Sequence, residues 1–240
     1  MTLRKIAHIG HPVLRQTART LTREELLAPE MQRFIDDLVE TMRDANGAGL
    51  AAPQIYESVM ICALEVKKNP RYPYKPDIPL TIAVNPTIEF LTDERFDNYE
   101  GCLSVPNFRG LVPRCTEIRV RYWDREGNEV DTLVKGLTAG TWQHEVDHLF
   151  GKVFVDRVTD PTSFCTWAEF ERYHMAGFVE RAKASSPATG ADPLPVPPPR
   201  REGAFSLPCP HPALSRQRRG ILVRRPRRRH LHRRAVAHSL

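Results

Sequence analysis

The chain has 240 residues and 41% hydrophobic content, enough for one water-soluble domain with a real core plus a tail. No apolar run approaches the roughly 18–20 residues of a membrane span. The N-terminal stretch MTLRKIAHIGHPVLRQTA carries charges and prolines where a signal peptide needs unbroken apolar residues, so a cytoplasmic location is expected.

In chain order, Met31, Phe34, Ile35, Leu38 and Met42 recur at helical spacing and predict an amphipathic helix over about 29–45, ended by the turn pair Asn46-Gly47. The run VMICALEV, 59–66, predicts a buried strand. Residues 81–84 predict another, stopped by Asn85-Pro86. Residues 117–123 alternate polar and apolar, and a turn from Asp124 to Asn128 leads to an extended stretch ending at Val134, which predicts a hairpin. A second helix is expected from about Ala139 to Phe150. A third, about 162–183, follows Asp160-Pro161 and carries Phe164, Trp167, Phe170 and Tyr173. Strands in the middle with helices at both ends indicate an α+β fold, not alternating βαβ units. From about Ser185 the composition turns Pro- and Arg-rich (PLPVPPPRR), so residues 1–183 are expected to form the domain and 184–240 a disordered tail.

The net charge of +6 is unevenly placed. Residues 184–240 hold 12 Arg against 2 acidic residues, whereas the first 183 hold 23 basic and 27 acidic side chains, so the basic character belongs to the tail. Five cysteines, an odd number at irregular spacing with no secretion signal, argue against a disulfide framework. A special cysteine is then a metal ligand or a nucleophile.

The strongest chemical signal is His144-Glu145-Val146-Asp147-His148. Residues four apart share a helix face, so both imidazoles can reach one cation. Glu145 projects from nearly the same face and can touch a water on that cation without being a ligand, as a hydrolytic site requires. A third ligand has two candidate sources. Downstream, the extended protease pattern is nearly met by Gly151, but Phe154 stands where its third histidine belongs; Glu169 or Glu171 could substitute, although solvated charge on a helix explains them as well. Upstream lies Glu100-Gly101-Cys102-Leu103-Ser104, whose thiolate is a strong ligand for transition metals, with Gly101 permitting an unusual backbone angle beside it. A third segment, Gly47-Ala48-Gly49-Leu50-Ala51-Ala52-Pro53-Gln54, lacks the lysine of a phosphate loop.

Together GAGLAAPQ, EGCLS and QHEVDH, in that order, resemble the peptide deformylase family over about residues 4–180, as do HPVLR, NPT and LVPR. The resemblance implies mixed, largely antiparallel sheets around a central HExxH helix, with an N-terminal and a C-terminal helix. It implies Cys102, His144 and His148 as ligands of one divalent metal, Fe(2+) in bacterial cells with Zn(2+) or Ni(2+) able to replace it. It implies a water at the fourth position, deprotonated by Glu145, that attacks the formyl carbon of N-formyl-methionyl nascent peptides and releases formate. The Gln54 amide and the Leu103 backbone N–H would stabilise the oxyanion. Gly49 would present its backbone to the substrate, and Ala48, Leu137 and Thr141 would wall a slot for the methionine side chain. Two positions depart from the family: Gly140, where relatives often carry Arg or a large apolar residue, and Asn98, where an apolar residue is common.

The family does not explain the tail. A stretch such as Arg224-Arg225-Pro226-Arg227-Arg228-Arg229 is suited to phosphate backbones, and for an enzyme of nascent chains ribosomal RNA is the natural partner; the rival is a non-functional extension. Two other readings compete with the deformylase. One is an HExxH zinc endopeptidase using Glu169 or Glu171, and the other a tail-driven nucleic-acid binder. The physiological metal, peptide preference beyond formyl-methionine and oligomeric state are not legible in the sequence.

Overall fold

A computed structural model describes residues 2–68 and 73–185. The expectation for the tail therefore lies, from residue 186 on, outside the described residues. No described helix is long and apolar enough to cross a membrane.

After a short helix α1, Arg23–Leu27, comes the expected amphipathic helix α2, Pro29–Asp44. α1 begins in a reciprocal capping box between Thr22 and Glu25. α2 buries Phe34, Ile35, Leu38, Val39 and Met42 on one face. It stops where Asn46, at φ 52°, enters the left-handed region and Gly47 N–H returns to the Met42 carbonyl.

Strands follow as β1 (Gly49–Ala51), β2 (Ile61–Val66), β3 (Ile78–Phe90), β4 (Arg95–Cys102), β5 (Val105–Cys115), β6 (Glu117–Trp123) and β7 (Glu129–Lys135). Five of them form an antiparallel sheet in the order β1-β2-β3-β6-β7. β4 and β5 form a separate hairpin, extended by the two-residue β8 (Cys165–Thr166). The main apolar core lies between α2 and the larger sheet, where Ile35, Leu38 and Met42 meet Leu50, Ile61, Ala63 and Val84. The architecture is the expected α+β one.

Two expected boundaries are corrected. Asn85-Pro86 does not stop β3; it makes a bulge, with Asn85 at φ 50° and the register shifting between Val84 and Thr87. The Asn85 amide exchanges hydrogen bonds with the backbone of Leu21, so the kink is fixed from outside the sheet. The third helix does not begin at 162. Residues 161–163 form a 3-10 turn capped by Asp160, β8 intervenes, and helical structure runs from Trp167 to Ser185 through a π turn at Phe170–His174.

The central helix α3, Gly136–Leu149, is buried on most of its circumference, so it shows little amphipathic stripe. Gln143 anchors it: its amide accepts from Cys115 N–H and donates to the Cys115 carbonyl, tying α3 to the end of β5. Gly151 ends it at φ 69°, where a Cβ would stand 2.7 Å from Arg15 backbone atoms. An N-terminal arm straps two loops together, with Ala7 N–H donating to the Gln54 carbonyl and Ile9 N–H to the Ser104 carbonyl, each at 2.7 Å.

Candidate metal centre

Three elements converge on one point. α3 presents His144 and His148 one turn apart, and the β4–β5 hairpin brings Cys102 against them. Donor atoms of these three residues all lie within 4.8 Å of one another. Cys102 Sγ is 3.2 Å from His148 Nε2. Cys102 and His148 are buried, and the His144 side chain is 11% exposed.

A buried chain of charges fixes this geometry. His144 Nδ1 bonds Glu100 Oε2 at 2.8 Å, which turns its other nitrogen toward the thiol. Glu100 receives both arms of Arg114 at 2.7 and 2.9 Å, and Asn98 Nδ2 at 3.0 Å. Arg114 also donates to Asp147 at 2.7 Å, and Asp147 is held from its far side by Arg157 at 2.6 Å. Burial alone would raise the Glu100 carboxyl, but the Arg114 guanidinium and then His144 hold it far below the usual carboxylate range. Burial likewise opposes a Cys102 thiolate, yet His148 and His144 pull the thiol well below its usual range. Burial works against a charged His144 too, and Cys102 and Glu100 overcome it, holding its proton well above the imidazole range. A field that retains a positive charge between a thiolate and a carboxylate-backed imidazole suits a divalent cation, as does a soft sulfur beside two nitrogens.

Around the triad, Glu145 is 4% exposed, and its Oε2 has no hydrogen-bond partner among the described residues. Burial raises its carboxyl above the usual range. Gly49 makes room for it: a Cβ there would come within 2.3 Å of Glu145 Oε1. Gln54 Nε2 points at Cys102 Sγ (3.4 Å) and Ser104 Oγ (3.1 Å), while its Oε1 accepts from Ala51 N–H at 2.8 Å, which settles which end of the amide is nitrogen.

Gln54, Leu103, Gly49, Ala48 and Thr141 line one cavity with Cys102, His144 and Glu145. Leu137 does not line it; it packs in a cluster with Tyr99, Phe170 and Phe178, as ordinary core. Gly101 is not in an unusual backbone conformation. It is small because a Cβ would meet the buried Arg109 guanidinium at 2.4 Å, which itself lies 4.3 Å over the Trp167 ring. Phe154 is buried against Cys102 and Val112, and Glu169 and Glu171 are exposed outside the triad. Sequence reasoning gave no role to Glu100, Asp147 or Lys75. Glu100 and Arg114 stood inside quoted motifs, whereas nothing in the local pattern marked Lys75.

The polypeptide deformylase family model matches residues 3–163. The chain is 43% identical over 159 residues to peptide deformylase 1 of Bordetella pertussis, covering 66% of this chain and 89% of that one. It is 42% identical over 166 residues to the peptide deformylase of Leptospira biflexa, covering 68% and 92%. The Met-Ala-Ser-bound class I type b peptide deformylase of Acinetobacter baumannii superposes with a TM-score of 0.63 at 37% identity, covering 65% of this chain and 99% of that one. With its thiol and two imidazoles gathered at one point beside a buried carboxyl, this chain belongs to the polypeptide deformylase family.

Proposed function

We propose that the protein hydrolyses the formyl group from the N-terminal formyl-methionine of newly made polypeptides in the bacterial cytoplasm, releasing formate. The carrying observation is the convergence of Cys102, His144 and His148 beside a buried carboxyl whose Oε2 has no hydrogen-bond partner among the described residues.

Cys102, His144 and His148 would hold the cation, with Fe(2+) the expected occupant and Zn(2+) or Ni(2+) able to replace it. When bound, that ion supplies positive charge to polarise the formyl carbonyl and acidify a water. Glu145 accepts the proton of the attacking water as oxygen bonds to the formyl carbon, then delivers it to the departing amine as the C–N bond breaks. Its burial raises its proton affinity toward the range such a shuttle needs. The Gln54 amide nitrogen and the Leu103 N–H donate to the oxygen that gains charge. Glu100 keeps His144 in one tautomer, and Arg114 keeps Glu100 charged. β1 is an edge of its sheet, so an extended substrate can add beside Gly49 as a further strand.

Cys102→Ser tests this directly. Metal content and formate release from formyl-Met-Ala-Ser should both collapse. Metal retained in the variant, with no formate released even by the unsubstituted protein, would favour the endopeptidase reading, whose candidate third ligand, Glu169 or Glu171, is exposed and outside the triad.

A further inference from the structure

The charged chain behind His144 does not end in the interior. Side-chain exposure rises along it, from 3% at Glu100 and 5% at Arg114 to 12% at Asp147 and 22% at Arg157. Carboxylates and guanidiniums alternate, so the charges cancel, and they come from β4, β5, α3 and the 3-10 turn that follows α3. Arg114 divides its donors. Its Nε and Nη2 go to Glu100, and its Nη1 goes to Asp147 at 2.7 Å, as short as the Nε contact. Asp147 is thus a rival for the guanidinium that holds Glu100. Arg157 occupies that rival: its Nη2 donates to Oδ1 at 2.6 Å and its Nε to Oδ2 at 3.1 Å, the oxygen that Arg114 also uses. The second imidazole has no comparable support. His148 is 1% exposed, and its Nδ1 has no partner among the described residues. Among the described residues, the orienting hydrogen bond of the ligand pair is therefore the one from His144 to Glu100.

Resting on the reading of Cys102, His144 and His148 as ligands of one metal ion, we infer that Arg157 is a positioning residue for the metal centre, acting through Asp147, Arg114 and Glu100. With Arg157 in place, Asp147 is neutralised from the solvent side and Arg114 stays on Glu100. Without it, two buried carboxylates share one guanidinium. Arg114 is drawn toward Asp147, Glu100 loses part of its hold, and His144 is no longer kept at one angle and in one tautomer. The ion then leaves faster although every ligand remains. Because the Arg157 side chain reaches solvent, water can fill the place it leaves, so the effect is one of charge and not of a void.

The test uses the full-length protein loaded with Co(2+), a first-row divalent ion whose visible absorption reports the geometry of its ligands. Arg157→Met should speed cobalt loss to a chelator by about tenfold, the low end for a ligand that loses its orienting support, and should shift the absorption band. Arg157→Lys should recover most of the retention. Arg157→Gln gives the same reading as the methionine variant should that one not fold. Arg119→Met is the matched control: Arg119 and Asp131 are 24% and 10% exposed, make the same forked contact, and Asp131 is likewise shared with a second arginine, Arg121. It should melt earlier by a similar amount and leave the spectrum and the rate of cobalt loss unchanged. In an Asp147→Asn background, Arg157→Met should add less than about twofold, because the rival carboxylate is gone. Cobalt loss in Arg157→Met no faster than in Arg119→Met, or a full additive loss on top of Asp147→Asn, would overturn the inference. These readouts need no turnover. Absence of formate from the loaded wild type would instead sink the deformylase reading and leave them standing.

Discussion

The two walls of the cavity are built on different physical rules. On one side runs a chain of opposite charges in contact: His144 on Glu100, Glu100 on Arg114, Arg114 on Asp147, Asp147 on Arg157. On the other side, one turn earlier on the same helix, Gly140 and Thr141 border the cavity with the Asn98 amide, and Thr141 Oγ1 accepts from Lys75 at 2.9 Å. The first wall tolerates little change, because removing one partner strands a charge in a low-dielectric interior. The second meets the first at Asn98, whose Nδ2 donates to Glu100, so a change at Asn98 reaches His144 through that carboxylate.

Substitutions can break this contrast, and the largest effect belongs to Glu145→Gln. It should lower kcat by about 10²–10⁴-fold while metal content stays near stoichiometric; a loss under tenfold would remove Glu145 from the reaction. Gln54→Leu should cost about 100–1,000-fold in kcat with KM little changed, the signature of a donor used in the transition state. Glu100→Gln should weaken metal retention by about 10–100-fold, read by competition with a chelator, because the histidine loses its orienting carboxylate. The variant should also melt earlier, since Arg114 keeps its charge and loses its main partner. Unchanged melting would show that the charged wall is less interlocked than its distances imply.

The smallest effect lies far from both walls. Arg119 and then Arg121 lower the Asp131 carboxyl below its ordinary value, with burial opposing them. A depressed acid contributes stability above its unfolded pKa, and that contribution fades as pH falls through the folded value. Asp131→Asn should therefore unfold slightly more easily than wild type at pH 7, with the gap closing toward pH 3 in urea titrations. A gap that persists in acid would mean packing, not charge, is at stake.

The reactive wall was the more legible one because its spacing is local. Two histidines four apart declare a shared helix face, and the glutamate between them follows. Cys102 needed the company of two other motifs, since a lone buried cysteine carries no message. The carboxylate behind His144 was harder to see. Glu100 meets Arg114 only because the β4–β5 register sets Glu100 across from Gly110, and no single-strand pattern fixes a register. Lys75 and Thr141 are 66 residues apart and meet only through the fold. Asn85-Pro86 misled for a related reason: a proline inside a strand reads as a stop unless a bulge absorbs it, and the residue that locks this bulge is Leu21, 64 positions away. β1 was missed because three small or apolar residues of a glycine-rich stretch carry no period.

The N-terminal arm has a practical corollary. Residues 7 and 9 clip the Gln54 and Ser104 loops to each other, so the spacing between the amide donor and the sulfur depends on a strip of chain that touches neither. Trimming those few residues, or dragging on them with a bulky fusion partner, would loosen the site while leaving its chemical groups intact. An affinity handle for purifying active protein is better fused at the opposite terminus.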